Sequence, residues 1–546
     1  MAIRPIRELR APLSAVLMRP IEWAHGRSLR LLEWFNQERW TLTLTLLALV
    51  LSNLVVIYFL LQGQDARALA FVVLILLAAI SWLVPEFSVA VLIIAGSSLY
   101  VNLLYYTTGT GATGMRSLLL IFLVIVSSRA VYEYLRTPPA ERPRVFTWLT
   151  ILLAAFWVYY TAHVLYINLF RYNIPSSDNP LAVLGFEWRG LIRYFDPHVL
   201  WIGVIPMVVL LRSYERAKRV LFLVGLAAFS GGVGIFLEYL TPLPEFWKVA
   251  LMIRAAGQSE EGYRVAAPAP IHLVVLLMWY VLYRVGYLKW WQNPIALLYL
   301  VSAALAVAVM KTRMLWGVIL LFLPFVLLLK PPRAQLRQLV VFGFAGLLGM
   351  ALMLHPRVYD LTTQIVREVN QRWQRNFAFG GDPRNDGSYQ GRIREREAWE
   401  RHYATLSLTD KVFGRGLEEG YGLFLSLHAL GYGSQYRQTY VEKTRLHFSW
   451  LGRLLHIGIL GTTLLALVLV AAAVRATQAF FTIPQPSIKA LMFASLASTV
   501  GIAIYDTIQH FTLSENSVLP IVFSWAMVEA ALHWHRTGQL PDETDS

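Results

Sequence analysis

The dominant pattern along this chain is a succession of long apolar runs separated by mostly short polar connections. A transmembrane helix needs about 20 mostly apolar residues, and the runs that approach this length are taken as candidate spans. They predict an all-α polytopic integral membrane protein with about 14 transmembrane helices. The candidates lie at residues 41–61, 68–83, 88–106, 117–135, 147–168, 198–211, 220–238, 271–288, 295–310, 314–329, 339–354, 448–474, 490–508 and 517–533.

The connections between these runs alternate in lysine and arginine content. The basic phase comprises the N-terminal segment and the connections 136–146, 212–219 and 330–338. The short connections of the opposite phase carry only Arg67, Arg116, Lys311 and Arg313. Since cytoplasmic loops are enriched in lysine and arginine, we expect both termini in the cytoplasm, which an even number of spans also requires.

This orientation predicts how the chain is organised. A basic cytoplasmic or interfacial segment precedes eleven spans, and a large periplasmic loop domain separates them from three further spans and a cytoplasmic tail. The polar loop has its own aromatic residues, which favours a small folded domain, and we expect this domain to be mostly helical. The predicted boundaries are 1–40, 41–354, 355–447, 448–533 and 534–546.

Composition agrees with a membrane protein and excludes several kinds of site. Hydrophobic residues make up 57% of the chain and charged residues 15%, against about 25% charged in soluble proteins. The chain has no cysteine, which excludes disulfides, thiolate metal sites and a cysteine nucleophile. A net charge of +15 suggests contact with anionic lipid first and a phosphorylated substrate second. Nucleic acid is not expected as a partner, because the chain has no basic tail.

Familiar catalytic motifs are missing from the sequence. There is no Walker A loop, Gly-x-Ser-x-Gly elbow, His-Glu-x-x-His pair or outer acidic cluster, so we expect no metal and no cofactor. Arg129 and Arg284 lie near the inner ends of spans, where arginines commonly snorkel to headgroups. Carboxylates are absent from the middle of the predicted spans, which weakens a transporter interpretation.

The predicted outer face carries the candidate polar chemistry. Arg392, Arg396 and Trp399 share one face of a helix by their spacing, although a salt-bridged surface helix would show the same pattern. The stretch 414–416 has glycines at both ends and permits a tight turn. Arg313 breaks the positive-inside pattern at an outer span end, which either a phosphate partner or snorkelling would explain.

A histidine stands where the outer loop meets the twelfth span. His447 can act as a general base at neutral pH, or it can be structural. On the helix that begins there, Leu451, Leu454, Gly458 and Gly461 share a face, which predicts a closely approaching neighbour span below it.

Taken in order, these segments resemble the O-antigen ligase and O-antigen polymerase superfamily of bacterial lipid-linked glycan transferases. The family's late motif, His-Asn-x-aromatic-Leu followed by Gly-x-x-Gly, is similar to the sequence at 447–451 and 458–461. Its preceding Arg…Trp segment and Gly-x-Gly turn are similar to 392–399 and 414–416, and its Ser-Arg-Gly to 312–314. The resemblance covers about residues 311–461 by motif and the rest by hydropathy. Phe448, Thr312 and Met314 depart from the family's residues.

The resemblance implies a metal-independent inverting glycosyltransferase of the bacterial inner membrane, with its active site facing the periplasm. Its donor would be a glycan on undecaprenyl diphosphate, and its acceptor a hydroxyl of a glycan or lipid-glycan. The implied catalytic residues are His447, Arg392 and Arg313, and the implied substrate-binding residues are Arg396, Trp399, Gly414 and Gly416. A transporter or flippase for a lipid-linked or anionic substrate, and a scaffold without catalysis, are alternatives. Ligase and polymerase would share these residues and are not distinguished.

Overall fold

A computed structural model describes most of the chain beyond its N-terminal region. The described residues are 72–97 with gaps, 112–170, 200–247 with gaps, 254–259, 262–266, 270–310, 313–352, scattered positions from 354 to 370, 387–415, 421–426, 438–443, 449–505 and 515–540. The predicted span 41–61 lies outside them. The chain divides into two compact units, residues 1–79 with 135–138 and residues 80–134 with 139–546. The few described residues before Ile80 are helical, and the contacts below belong to the second unit.

Helices account for nearly all of the described backbone. Short 3-10 turns at Pro139–Glu141, Leu200–Gly203 and Trp290–Gln292 join some of them. In chain order the helices are α1 Pro85–Gly96, α2 Ala112–Arg136, α3 Trp148–Phe170, α4 Val204–Leu210, α5 Tyr214–Leu240, α6 Pro270–Arg284, α7 Asn293–Met310, α8 Arg313–Leu328, α9 Pro332–Leu352, α10 Gly387–Thr405, α11 Leu408–Phe413, α12 Ser449–His456, α13 Gly458–Thr482, α14 Pro486–Tyr505 and α15 Glu515–Thr537.

Two short antiparallel hairpins interrupt this helical pattern, and the all-α prediction missed both. Strands β1 Arg254–Ser259 and β2 Gly262–Ala266 pair within the long connection 239–270. Strands β3 Tyr421–Ser426 and β4 Gln438–Lys443 pair within the segment 355–447, with Tyr421 opposite Lys443. Aromatic and β-branched residues in β4 favour a strand, but neither hairpin is long enough to stand out against the apolar runs.

Several helices have the length and apolar character of membrane spans. Four described stretches are long and apolar enough to cross a membrane: Tyr214–Glu238, Trp290–Met310, Gly458–Thr482 and Pro486–Ile504. Shorter apolar helices lie at 85–96, 148–163, 200–210, 271–284 and 315–328. Large apolar side chains also point outward, including Phe344, which is 71% exposed, and Leu298. An apolar exterior of this kind is what lipid contact requires, so the chain is a helical, membrane-embedded protein.

The core of the bundle forms where α5, α6, α13, α14 and α15 pack together. Trp201 and Trp525 are fully buried and meet edge to face with their ring centroids 5.2 Å apart. The Trp525 indole nitrogen donates to the Thr499 hydroxyl at 2.8 Å, and the Trp534 indole nitrogen donates to the Leu211 carbonyl at 2.9 Å. These hydrogen bonds between helices matter because an unpaired polar group buried in an apolar core costs free energy.

Candidate functional site

The helix α10 and Leu406, which follows it in the predicted outer loop, pack against α12 through a small hydrophobic cluster. We call this group, with the partly buried side chains around it, the seam cluster; its residues are Ala398, Trp399, Leu406, Leu455, Tyr403, Leu451 and Leu454. The Trp399 ring stacks on the Tyr403 ring with centroids 4.6 Å apart. Trp399 is 6% exposed, so it joins α10 to α12 instead of facing solvent.

Two glycines let the backbone after α11 approach the turn between α12 and α13. Gly414 and Gly458 have positive φ angles of 82° and 69°, in the region that favours glycine. A side chain at Gly414 would collide with the carbonyl oxygen of His456, and one at Gly458 with backbone of the α11 end. The Arg415 amide donates to the Leu455 carbonyl at 2.8 Å. Gly414 and Gly458 therefore allow the two backbone segments to cross in direct contact, and we call this contact the glycine crossing.

A tyrosine of α3 contacts both backbone segments of the glycine crossing. The Tyr159 hydroxyl lies 2.7 Å from the Ile457 carbonyl oxygen and 3.0 Å from the Phe413 carbonyl oxygen. Gly461 makes room for the Tyr159 ring, since a Cβ there would lie 2.5 Å from it. The predicted close approach of a neighbouring helix is confirmed at Gly461, where the neighbour is α3, whereas the close neighbour of Gly458 is the end of α11.

The predicted substrate-binding residues on α10 do not present one common surface. Arg396 is 62% exposed, and its Nε lies 2.7 Å from a carboxylate oxygen of Glu400. Trp399 and Glu395 are buried instead, because the inner face of α10 is centred on the seam cluster. Arg396 thus forms the surface ion pair that was the alternative interpretation, and such pairs contribute little to stability.

The remaining predicted site residues are described only in part. Arg313 is the first residue of α8 and Arg392 is the sixth residue of α10, but their side chains are not among the described atoms. His447 and Gly416 lie outside the described residues. The convergence of His447 with the two arginines stays a prediction.

Two other arginines, Arg415 and Arg453, lie on the two segments that meet at the seam, and neither is among the site residues that the sequence predicted. The amide of Arg415 bonds to Leu455, only two residues beyond Arg453 on α12. The Arg453 guanidinium carbon lies 4.8 Å from the centre of the Trp450 ring, and both arginines are half-buried. The sequence signal for Arg415 is its position between Gly414 and Gly416. This position points to the seam only once the contact of Arg415 with Leu455 of α12 is known.

Burial also affects a tyrosine of the seam cluster. Burial raises the pKa of the Tyr403 hydroxyl above its ordinary value of 10.0, so this group stays protonated at neutral pH. The ammonium group of Lys411 lies 5.7 Å from the centre of the same ring. The described part of the seam therefore offers cationic and hydrogen-bonding groups suited to an anionic or hydroxyl-bearing ligand.

An apolar pocket opens between α6, α8, α14 and α15. It has a cavity volume of about 40 Å³ and is lined by residues that include Trp279, Leu315, Val318 and Ser498. Leu315 is two residues from Arg313, or about 3 Å along the helix axis. The pocket therefore lies beside the helix that begins with the predicted phosphate-binding arginine.

Within the described ranges, no group of three or more histidine, aspartate or glutamate side chains is placed to hold a metal ion. The prediction of a metal-independent reaction stays a prediction, because parts of the predicted outer loop lie beyond those ranges. Compared with known proteins, the chain matches no protein-family model and no curated protein.

Proposed function

We propose that this protein is a metal-independent, inverting glycosyltransferase of the bacterial inner membrane. It would move a glycan from undecaprenyl diphosphate to an acceptor hydroxyl at the periplasmic face, as the resemblance to O-antigen ligases and polymerases implies. The observation that carries the proposal is the attachment of α10 and α11 to α12, α13 and α3 by the seam cluster and the glycine crossing. A catalytic outer domain needs such an attachment to act on a membrane-bound donor.

This attachment limits the distance of each predicted catalytic residue from the seam cluster. Arg392 lies seven residues before Trp399, or about 10 Å along α10. His447 lies two residues before α12 begins at Ser449, or at most about 7 Å of chain. Trp399 and Leu455 both belong to the seam cluster. Arg392 and His447 are therefore each within a few helical turns of that cluster along the chain.

The chemistry suits the residue types available. In the proposed step, the acceptor oxygen attacks the anomeric carbon, and the bond from that carbon to the diphosphate oxygen breaks. His447 takes the proton of the acceptor hydroxyl, and undecaprenyl diphosphate leaves with the bonding electron pair. Arg313 and Arg392 bind the diphosphate, because a guanidinium makes two-point contacts with phosphate oxygens. Arg415 and Arg453 are further candidates for this contact.

The apolar exterior of α8, the helix that starts at Arg313, suits a lipid-linked donor. The pocket beside this helix has a volume of about 40 Å³ and is too small for a polyprenyl chain. In this proposal the hydrocarbon chain lies against exposed side chains of α8 such as Leu320 and Leu321, with its phosphate end near the start of the helix. In this proposal the segment 355–447 is the periplasmic domain, about 14 helices cross the membrane, and the basic connections face the cytoplasm.

The buried carboxylates of the bundle give the transporter alternative little support. Glu133 and Glu529 are paired with arginines, and Glu238 accepts a hydrogen bond from the Leu243 amide at 2.7 Å. Glu133 and Glu238 lie near helix ends, whereas Glu529 lies eight residues before the end of α15 and is bound by Arg475 of α13. An ion-coupled transporter generally uses ionisable residues in the middle of the membrane, whereas each of these carboxylates is held by an arginine or a backbone amide.

The decisive experiment measures transfer and folding on the same membrane preparations. We expect His447→Ala to retain well under a tenth of the transfer rate, since a positioned base contributes about 10²–10⁴-fold. Arg313→Lys and Arg392→Lys should recover little activity, because an ammonium lacks the planar two-point contact. The exposed Arg333 of α9 supplies the matched control, and Arg333→Ala should transfer at nearly the wild-type rate. A stable His447→Ala protein with wild-type transfer would show that His447 is structural.

Chelation gives a second test of the proposed chemistry. Transfer should survive EDTA, because arginine neutralises the diphosphate leaving group without a metal. The measurement is the transfer rate of purified protein before and after chelation, at constant detergent and lipid. Complete loss with recovery on adding Mg²⁺ or Mn²⁺ would contradict it.

The surface glycans of a deletion strain would then separate ligase from polymerase. Loss of long chains with one repeat still attached to the acceptor indicates a polymerase. An unmodified acceptor together with accumulated long lipid-linked glycan indicates a ligase. Unchanged glycans would contradict both activities.

A further inference from the structure

Three arginines converge on one carboxylate where α2 ends and α5 begins. The Glu133 carboxylate lies 2.9 Å from Arg129, 2.9 Å from Arg216 and 3.5 Å from Arg212. We call these four residues the arginine cluster. Its arginine side chains are between 16% and 34% exposed, so they line a half-buried surface and are not extended into solvent.

The number of arginines in direct contact distinguishes the arginine cluster from two other ion pairs of the bundle. Arg475 contacts Glu529 through two hydrogen bonds of 2.7 Å, and Arg536 acts on the same carboxylate from farther away. Arg219 meets Glu86 one to one at 2.9 Å. The arginine cluster instead carries three guanidiniums around a single carboxylate. Positive charge held together on a half-buried surface is costly unless an anion is also present.

Aromatic rings indicate the depth of the arginine cluster in the membrane. The Arg129 guanidinium carbon lies 5.8 Å from the centre of the Trp82 ring and 5.2 Å from that of the Tyr132 ring. Trp82 is partly exposed, and tryptophan and tyrosine are enriched at the headgroup level of membranes. The ion pair and the two rings hold the Arg129 guanidinium in place, and the expectation that it snorkels to the headgroups stays a prediction.

We propose that the arginine cluster binds the phosphate group of an anionic phospholipid in the adjacent, predicted cytoplasmic leaflet. Arginine suits this ligand because its planar fork donates two hydrogen bonds to phosphate oxygens. The positive-inside rule depends on the number of basic residues near a span. It does not require three of them, from two separate segments, to meet at one point beside aromatic rings. The site is separate from the proposed transferase site and does not depend on it.

The test compares phosphatidylglycerol with phosphatidylcholine on the purified full-length protein. Lipid retention is counted by native mass spectrometry, and thermal unfolding is followed in the same detergent. Wild-type protein should retain phosphatidylglycerol in preference to phosphatidylcholine. Arg212→Gln/Arg216→Gln should weaken that retention at least about tenfold, since each charge-assisted hydrogen bond contributes substantially. Arg219→Gln, on the same helix and paired one to one, should change it by less than about twofold.

Further variants keep the result interpretable. If the double variant does not fold, Arg212→Gln alone removes the most exposed of the three arginines and should still weaken retention several-fold. Glu133→Gln should bind phosphatidylglycerol at least as tightly as wild type, because it removes only the competing anion. Stabilisation by soluble pyrophosphate but not by phosphatidylglycerol would overturn the lipid as the source of the phosphate. Equal retention of both lipids by wild type, or equal loss in Arg219→Gln and the double variant, would overturn the site.

Discussion

Two single glycines determine how the end of α11 meets the turn between α12 and α13. Gly458 was recognisable from the sequence, because it stands with Gly461 on the face of a predicted helix. The importance of Gly414 could not be predicted in the same way, since its contact is with a backbone more than forty residues away. Its sequence signal, a Gly-x-Gly turn, fits a ligand loop as well as a backbone crossing. Only the three-dimensional contact distinguishes these roles.

Adding one methyl group at the glycine crossing should destabilise the protein. Gly414→Ala and Gly458→Ala each place a Cβ against backbone atoms at a positive φ angle. The conformation alone costs about 1–2 kcal/mol for an L-residue, and the collision adds to that cost. We expect both variants to unfold at clearly lower temperature in detergent, with intrinsic tryptophan fluorescence as the measurement.

Gly343 of α9 is the matched control for these variants. Nothing lies within 4 Å of a Cβ built there, and alanine is favoured over glycine inside a helix by about 0.5–1 kcal/mol. Gly343→Ala should therefore unfold at the wild-type temperature or slightly above it. If Gly458→Ala behaves like Gly343→Ala, the glycine crossing does not support the fold.

At the scale of whole helices, the hydrophobic pattern predicted that a helix exists better than it predicted where the helix begins and ends. The predicted span 295–310 agrees closely with α7, Asn293–Met310. The predicted span 448–474 is instead divided into α12 and α13 at Ile457 and Gly458. The apolar run continues across this break, so composition gives no sign of it. The break arises because Gly458 takes a left-handed conformation to meet α11, which is a tertiary effect.

The end of α6 shows how a buried lysine replaces an ordinary helix cap. The last carbonyl groups of a helix have no partner within the helix. The Lys330 ammonium group donates to the Val285 carbonyl at 2.7 Å and to the Leu282 carbonyl at 3.4 Å, and it also bonds to Gln338. Gly286 follows with a φ angle of 100°. Lys330 thereby joins the end of α6 to the α8–α9 turn.

This arrangement predicts a pH-dependent contribution to stability. Burial lowers the pKa of Lys330 from 10.5 to about 7. Between these two values the unfolded state binds more protons than the folded state, so the free energy of unfolding should rise with pH across that window. Lys330→Met removes both this rise and the hydrogen bonds, which contribute about 1–3 kcal/mol when buried acceptors lose their donor.

The check is thermal unfolding of the Lys330 variant at pH 6 and pH 9. Lys330→Met should be destabilised more at pH 9 than at pH 6, because the wild type gains stability in between. Lys289 is exposed on the neighbouring turn, and Lys289→Met should show equal, small effects at both pH values. An equal loss at pH 6 and pH 9 for Lys330→Met would mean that Lys330 does not titrate in this range.

For the whole molecule, the sequence predicted a helical membrane protein, and the described residues agree. What it could not predict is how the polar segments fold. The hairpins β1–β2 and β3–β4 both lie in long connections, where short strands compete with many other conformations. The seam cluster depends on contacts between α10 and α12, which are separated along the chain by the second hairpin. Local patterns carry no information about such contacts.

The orientation of the molecule is the prediction on which the proposed site depends most. The chain has no cysteine, so single cysteines can be introduced without background labelling. In intact spheroplasts, an impermeant thiol reagent should label Ser388→Cys in the predicted periplasmic domain and leave Ser546→Cys at the C-terminus unlabelled. Both should react once the membrane is permeabilised, which controls for accessibility. The reverse pattern would put the segment 355–447 in the cytoplasm, where a donor in the outer leaflet could not reach it, and the proposed transferase would then be untenable.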